Sequence, residues 1–429
     1  MKAEFKKIIC DVTGDICYRS QLENGLTLYV APNEKTSAHA VFYTDFGSVN
    51  STFEWEGEAH TLPDGMAHFL EHKLFETEDG GDAFSLFAET GADANAYTSF
   101  TKTAYVFTAA ENFTESLGIL LSFVTSPHFT TESVDKEKGI IIEEITMYDD
   151  SPDWQCMFGM MTAMYREDNP IAIDIAGDAE SVSKATPELL YSIYEKFYSL
   201  SNMTLCVSGN VDPFKIAEMC EMLKGEKRQT PKTYFPKEEK AVRLPYVEKK
   251  MQVSRPCFNF GVKDLPCEDE EERNRRAAAI AVFSSMLFGG SSEIYSRLYD
   301  EGIINKTFCS GYECTDCYAF YAFSGETERV EEMYSSLCEY IENVKSTGFD
   351  EEEFETARRV VYASAVRVFE NSVRVAEEMS DIGEFLFTAP KTVANITPEY
   401  AFEVFCELFR QESYTLSVIK PLDQKGKDI

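Results

Sequence analysis

Two of the chain's five histidines fall in GMAHFLEHKLFE, residues 65–76, at positions 68 and 72 with Glu71 beside the second. On an α-helix, positions i and i+4 stack on one face, so His68 and His72 can converge on a single cation. Glu71 then lies on a neighbouring part of that face, where its carboxylate reaches a metal-bound water without being a ligand. The competing reading is a ring-stacked pair of core histidines beside a capping glutamate, and the scarcity of histidine argues against it. Catalytic zinc takes three protein ligands and keeps one position open, so a third ligand must come from elsewhere in the chain. His39, His60 and His128 have no evident partner and read as ordinary core or surface residues.

The helix that carries the pair is predicted from Met66, Phe69 and Leu70, which repeat at three to four residues, with Asp64 as its expected N-cap. Alternating stretches before it, GLTLYVAPN (25–33) and AHAVFYTDFGS (38–48), read as strands, as do ANAYTSF and AYVFTAA after it. Residues 130–147, TTESVDKEKGIIIEEITM, read as a long helix capped by Thr130 or Thr131. The hydrophobic strand MTLCVSGNV (203–211) closes the first half. After the polar, proline-bearing run around 224–240 the order recurs: strand CFNFGVKD, helix ERNRRAAAIAVFSSMLFGG, strands around CYAFYAFSGE, long helices, and a closing strand YTLSVIKP. This recurrence predicts an α+β protein of two homologous domains, residues 1–223 and 246–429, joined by a linker at 224–245.

At 429 residues the chain suits two domains or three, and its 44% aliphatic, aromatic and sulfur residues can fill their cores. Forty basic against seventy-four acidic residues give a net charge of −34, which repels nucleic acid and anionic membrane surfaces. No stretch has the roughly 18 apolar residues of a membrane span. Twelve scattered cysteines and the lack of a secretory signal pattern predict reduced thiols in the cytoplasm. FGGSSEIYSRLY lacks the spacing and lysine of a nucleotide loop and reads as a helix end, while CTDC (314–317) reads as strand thiols.

HFLEH is the inverted zinc motif H-x-x-E-H, and through it the chain resembles the pitrilysin, insulin-degrading enzyme and mitochondrial processing peptidase family, in particular its half-length bacterial members. The resemblance implies that each domain is a mostly antiparallel sheet packed with helices and that the chain forms one half of a clamshell. It also implies that a glutamate on a downstream helix completes a Zn2+ site. DKEKGIIIEEITMYDDSP matches, with Glu137 and Glu144 seven residues apart and on nearly the same face. By that match Glu144 is the third metal ligand and Glu137 a carboxylate that orients a histidine or the site water, with the adjacent Glu143 as the competing ligand. GADANAYTSFTKTAYVF resembles the segment forming an edge strand beside the zinc, so that Asn95, Ala96 and Tyr97 would lie along a bound, strand-like substrate. A plain core strand with Tyr97 packed inward is the alternative.

The function this implies is zinc-dependent endopeptidase cleavage of short or unstructured peptides, with Glu71 taking the proton of the zinc-bound water and passing it to the leaving amine. Family members that are active also use an arginine and a tyrosine of the second domain to hold the substrate carbonyl. The corresponding run here is SRLYDEGIINKTF, where Tyr299 takes the arginine's place and Asn305 or Lys306 the tyrosine's, while Arg297 is two positions out of register. Losing an oxyanion donor costs about 3 kcal/mol of transition-state stabilisation. The resemblance therefore implies a heterodimer whose related second chain supplies the arginine and tyrosine, a homodimer being the alternative. The other functional reading is a non-catalytic assembly or peptide-binding subunit on the same fold.

Overall fold

The computed structural model describes residues 3–77, 81–225 and 228–422, so linker positions 226 and 227 lie outside the described residues. The chain divides into two compact units. Unit 1 comprises Met1–Ile145, Ile173–Tyr234 and Ala365–Thr388, and unit 2 comprises Thr146–Ala172, Phe235–Ser364 and Ala389–Ile429.

The strands of unit 1 are Lys6–Ile9 (β1), Ile16–Gln21 (β2), Thr27–Pro32 (β3), Ala38–Thr44 (β4), Thr52–Trp55 (β5), Glu58–Thr61 (β6), Asp93–Thr98 (β7), Thr103–Ala109 (β8), Met203–Gly209 (β9) and Lys232–Thr233 (β10). Seven form one sheet in the order β1-β2-β3-β9-β4-β8-β7, and β10-β5-β6 form a small second sheet. All neighbours in the large sheet are antiparallel except β3 and β9. Every residue of β9 is buried, as the central position demands of a strand covered on both faces.

The two-residue period of the strands sorts their side chains onto two cores. Leu28, Val30, Phe42 and Phe107 point to one, together with apolar residues of Met66–Leu74 (α1) and Phe113–Val124 (α3). Tyr29, Ala31, Val41 and Cys206 point to the other, where Val375, Ala376 and Met379 of the helix Ser372–Ile382 cover them. Between α1 and α3 lies Ala83–Thr90 (α2), and Thr131–Asp149 (α4) follows.

Unit 2 is built on Tyr246–Met251 (β11), Cys257–Asp264 (β12), Cys309–Cys314 (β13), Ala319–Glu326 (β14) and Tyr414–Pro421 (β15). Their order is β11-β15-β12-β14-β13, with β11 and β15 parallel and the rest antiparallel. This is the order and direction of β3-β9-β4-β8-β7, so one five-stranded motif occurs twice. Phe258, Phe260, Phe323 and Val418 fill one face with Phe283, Ile341 and Phe405 from the helices. On the other face Pro152–Met164 (α5) lies so close that a Cβ on Gly159 would meet the Ser417 hydroxyl, and one on Gly261 would meet Met160 and Met164.

The helix on the second face of each sheet comes from the opposite half of the sequence. α5 precedes the linker yet belongs to unit 2, and Ser372–Ile382 follows it yet belongs to unit 1. Apolar burial on that face holds each exchanged segment, which a reading along the chain does not anticipate.

Candidate metal centre

α1 begins at Gly65, not at a side-chain cap from Asp64 as the sequence suggested. Gly65 has φ +82° and ψ +1°, and no side chain among the described residues caps the helix. A Cβ on Gly65 would collide with the carbonyl oxygen of Ala176, so the tight passage of 176–177 past the helix start demands glycine and leaves Asp64 no capping geometry. Met66, Ala67, Phe69, Leu70 and Leu74 then seat α1 on the core. That fixes the direction in which the remaining stripe, His68, Glu71 and His72, can point.

α4 supplies the opposing carboxylates. Its start is closed by Thr130, whose hydroxyl accepts from the Ser133 N–H at 3.1 Å. Val134 and Ile141 are buried against the core, and this sets the helix phase. Glu137 and Glu144 flank Ile141 on the inward side, while Glu143, about 100° further round, is exposed.

The structure brings His68, His72 and Glu144 together, with one donor atom from each lying within 4.8 Å of the others. Nε2 of His72 is 3.3 Å and Nε2 of His68 3.7 Å from the same Glu144 oxygen. The two rings meet edge to face, with centroids 4.6 Å apart and planes at 72°. The other nitrogen of His72, Nδ1–H, donates to Glu137 at 3.0 Å, which orients the ring and turns Nε2 toward Glu144. Glu143 is not part of the cluster.

Protonation follows from burial and these contacts. Burial, reinforced by the charge of His72, pushes the His68 imidazole down to about 4, so it is a neutral lone-pair donor at neutral pH. Burial opposes charge on His72 too, but the bonds to Glu137 and Glu144 outweigh it and raise that ring to about 10. Burial raises the Glu71 carboxyl above its ordinary value, against the Thr98 hydrogen bond and the nearby His72 charge. Nδ1 of His68 is buried with no hydrogen-bond partner among the described residues. Two imidazole nitrogens and a carboxylate oxygen converging on one point form a donor set that suits zinc.

β7 runs past this centre as the edge strand of its sheet, pairing with β8 alone among the described residues. The Ala96 N–H donates to the Asn95 side chain at 2.9 Å, and Asn95 and Ala96 line an open cavity of about 630 Å³ with Glu71, His72, Phe75 and Glu137. Tyr97 points to the opposite face, where its hydroxyl donates to Glu377 at 3.0 Å. Thr98 faces the centre again and donates to Glu71 at 2.7 Å. Sequence reasoning missed Thr98, although its parity with Ala94 and Ala96, whose side chains pack on the α1 core, was a usable signal.

The other sequence-level candidates have local roles of their own. His39 bonds Thr108 at 2.8 Å and Glu377 at 3.1 Å, and His60 stacks on Phe53. Asn305 serves a turn, accepting from Thr307 and donating to the Glu326 carbonyl, while Tyr299 is exposed at the end of the helix Glu293–Asp300. Ser292 caps that helix, as a helix start after Gly289 and Gly290 requires. All twelve cysteines are free thiols. No single helix among the described residues is long and apolar enough to cross a membrane.

Residues 29–179 match the family model described as insulinase, peptidase family M16, and residues 184–361 match the one described as the peptidase M16 inactive domain. The uncharacterized zinc protease YmfH of Bacillus subtilis is 38% identical over 395 residues, spanning 90% of this chain and 87% of that protein. A protein of Rickettsia felis, also named an uncharacterized zinc protease, is 27% identical over 374 residues, 85% of this chain and 86% of its own length. The crystal structure of an M16-like peptidase from Alicyclobacillus acidocaldarius superposes with a TM-score of 0.89 at 30% identity, covering 98% of this chain and 100% of the other.

Proposed function

Because the chain belongs to peptidase family M16 and carries a converging His68–His72–Glu144 set, we propose that it is a zinc-dependent endopeptidase acting on short or unstructured peptides. The observation that carries this reading is that convergence, with Glu71 on the same helix as the two histidines.

In this reading His68, His72 and Glu144 hold the metal, and Glu137 keeps His72 oriented through Nδ1. When bound, zinc supplies Lewis acidity, polarising the scissile carbonyl and making water acidic enough to act near neutral pH. Glu71 accepts the proton of the attacking water and returns it to the leaving amine. No covalent enzyme intermediate is needed. The open edge of β7 at Asn95, Ala96 and Tyr97 offers backbone groups to which an extended peptide adds as a further strand. Main-chain hydrogen bonds supply the affinity of that kind of docking, which favours a peptide segment free to extend.

The run from Arg297 to Lys306 holds no arginine–tyrosine pair in the register of active relatives. A related second chain therefore supplies the pair in a heterodimer, with a homodimer as the alternative that co-purification from the host would reveal. The twelve free thiols suit a reducing compartment such as the cytoplasm.

The test is zinc content after dialysis combined with cleavage of a quenched, unstructured peptide, alone and with co-purified partner. Stoichiometric zinc, cleavage by the wild type, and a Glu71→Gln chain that keeps its zinc but loses activity by about 10²-fold or more support the peptidase. Zinc-free wild-type protein that cleaves nothing refutes it and leaves the assembly-subunit reading.

A further inference from the structure

Glu71 can serve as a proton acceptor only if its carboxylate is aimed, and its side chain has three rotatable bonds with which to turn away. The hydrogen bond that holds it comes from Thr98, whose hydroxyl donates to Oε2 at 2.7 Å. That hydroxyl stands on firm backbone. Thr98 pairs with Thr103, and the Thr103 hydroxyl is tied to the Phe46 carbonyl at 2.7 Å. Just beyond, the Ser99 N–H closes a tight turn on the Lys102 carbonyl at 2.8 Å. The preceding residue is anchored on the opposite face, Tyr97 to Glu377 at 3.0 Å. Two consecutive residues of β7 are thus pinned to opposite layers of unit 1, one of them to Glu71.

Resting on the peptidase reading above, we propose that Thr98 is a positioning residue for proton transfer at Glu71. Its hydroxyl fixes the carboxylate from the strand at whose open edge the peptide adds, so that one backbone segment aligns both the substrate and the base. A β-branched residue suits the task, since threonine's χ1 is restricted and its hydroxyl proton is directed with little rotamer loss.

Thr98→Val keeps the branched shape and removes the donor, whereas Thr98→Ser keeps the donor and removes the methyl. In the full zinc-loaded chain with its co-purified partner, Thr98→Val is expected to lower kcat about tenfold, as loss of one hydrogen bond to a charged group does, with KM within about twofold. Zinc content stays unchanged, and Thr98→Ser restores kcat to within about twofold, because the hydroxyl and not the methyl aims Glu71. A readout independent of turnover is the crystal structure of Thr98→Val, in which the Glu71 carboxylate leaves the orientation seen here. An unchanged kcat in Thr98→Val, a Thr98→Ser chain as slow as Thr98→Val, or a Glu71 rotamer unmoved in the variant crystal would overturn the proposal. A wild-type chain that holds zinc and cleaves nothing, alone and with its co-purified partner, overturns the peptidase reading as well. An active wild type matched by an equally active Thr98→Val overturns this one alone.

Discussion

Replacing Glu137 should weaken zinc binding without disturbing the fold, because this carboxylate touches the metal centre only through His72. Its bond to His72 Nδ1 is 3.0 Å long, and the two side chains are 16% and 24% exposed, so water screens the pair poorly. A hydrogen bond to a charged group contributes about 1.5–3 kcal/mol and one between neutral groups about 0.5–1.5 kcal/mol. Glu137→Gln keeps the shape and an acceptor oxygen but loses the charge, a difference of about 1–1.5 kcal/mol. At about 1.4 kcal/mol per decade, zinc affinity should fall about five- to tenfold. Glu137→Ala frees the ring altogether and should cost about 10–100-fold. The assay is competition for zinc with a chromophoric chelator at fixed pH and ionic strength, with Tm measured alongside. Glu143→Gln is the control, since that residue is exposed and outside the cluster, and Glu144→Gln should lose more affinity than any of them. If both Glu137 variants bind zinc like the wild type, the carboxylate does not orient His72. If Glu143→Gln weakens binding as much as Glu144→Gln, the ligand assignment on α4 fails.

Gly65→Ala places a Cβ at φ +82° against the Ala176 carbonyl, and strain plus the required shift should cost about 2 kcal/mol or more, read as a Tm lowered by several degrees. Exhaustive chelation should abolish peptide cleavage, and stoichiometric zinc should restore it; cleavage that persists in metal-free protein would count against the metal centre. Against burial, hydrogen bonds from His39 and Tyr97 and the nearby Lys102 charge hold the Glu377 carboxyl below its usual 4.5. A depressed carboxyl stabilises the fold fully above its unfolded value and loses that contribution as pH falls through the folded one. The Tm gap between wild type and Glu377→Gln should therefore be widest near neutral pH and narrow below about 4.5. A gap that widens on acidification would contradict this.

The pairing of His68 with His72 was legible because a helix brings i and i+4 together whatever surrounds it, and the apolar repeat of Met66, Phe69 and Leu70 announced that helix. The seven-residue spacing of Glu137 and Glu144 was legible in the same way. Between Glu143 and Glu144 the spacing alone could not choose. Burial of Val134 and Ile141 chose, by fixing which face of α4 turns inward. The expected cap at Asp64 failed because a local preference gave way to a long-range contact, the passage of Ala176 and Gly177 across the helix start.

Alternation gave β7 its strand character and its side-chain parity, yet not its place at the edge, since strand neighbours are chosen among segments far apart in sequence. The same holds for the reciprocal exchange of α5 and Ser372–Ile382, where two helices leave their own half of the sequence to cover the other half's sheet. The amino-acid order by itself determined the elements, the repeated plan and the chemical types at the centre, because propensity, periodicity and helix spacing act over a few residues. Only the tertiary structure decided which carboxylate faces the histidines, that Thr98 grips Glu71, and that one strand edge stays open. Those outcomes depend on burying apolar faces between segments up to hundreds of residues apart, and no local pattern encodes that.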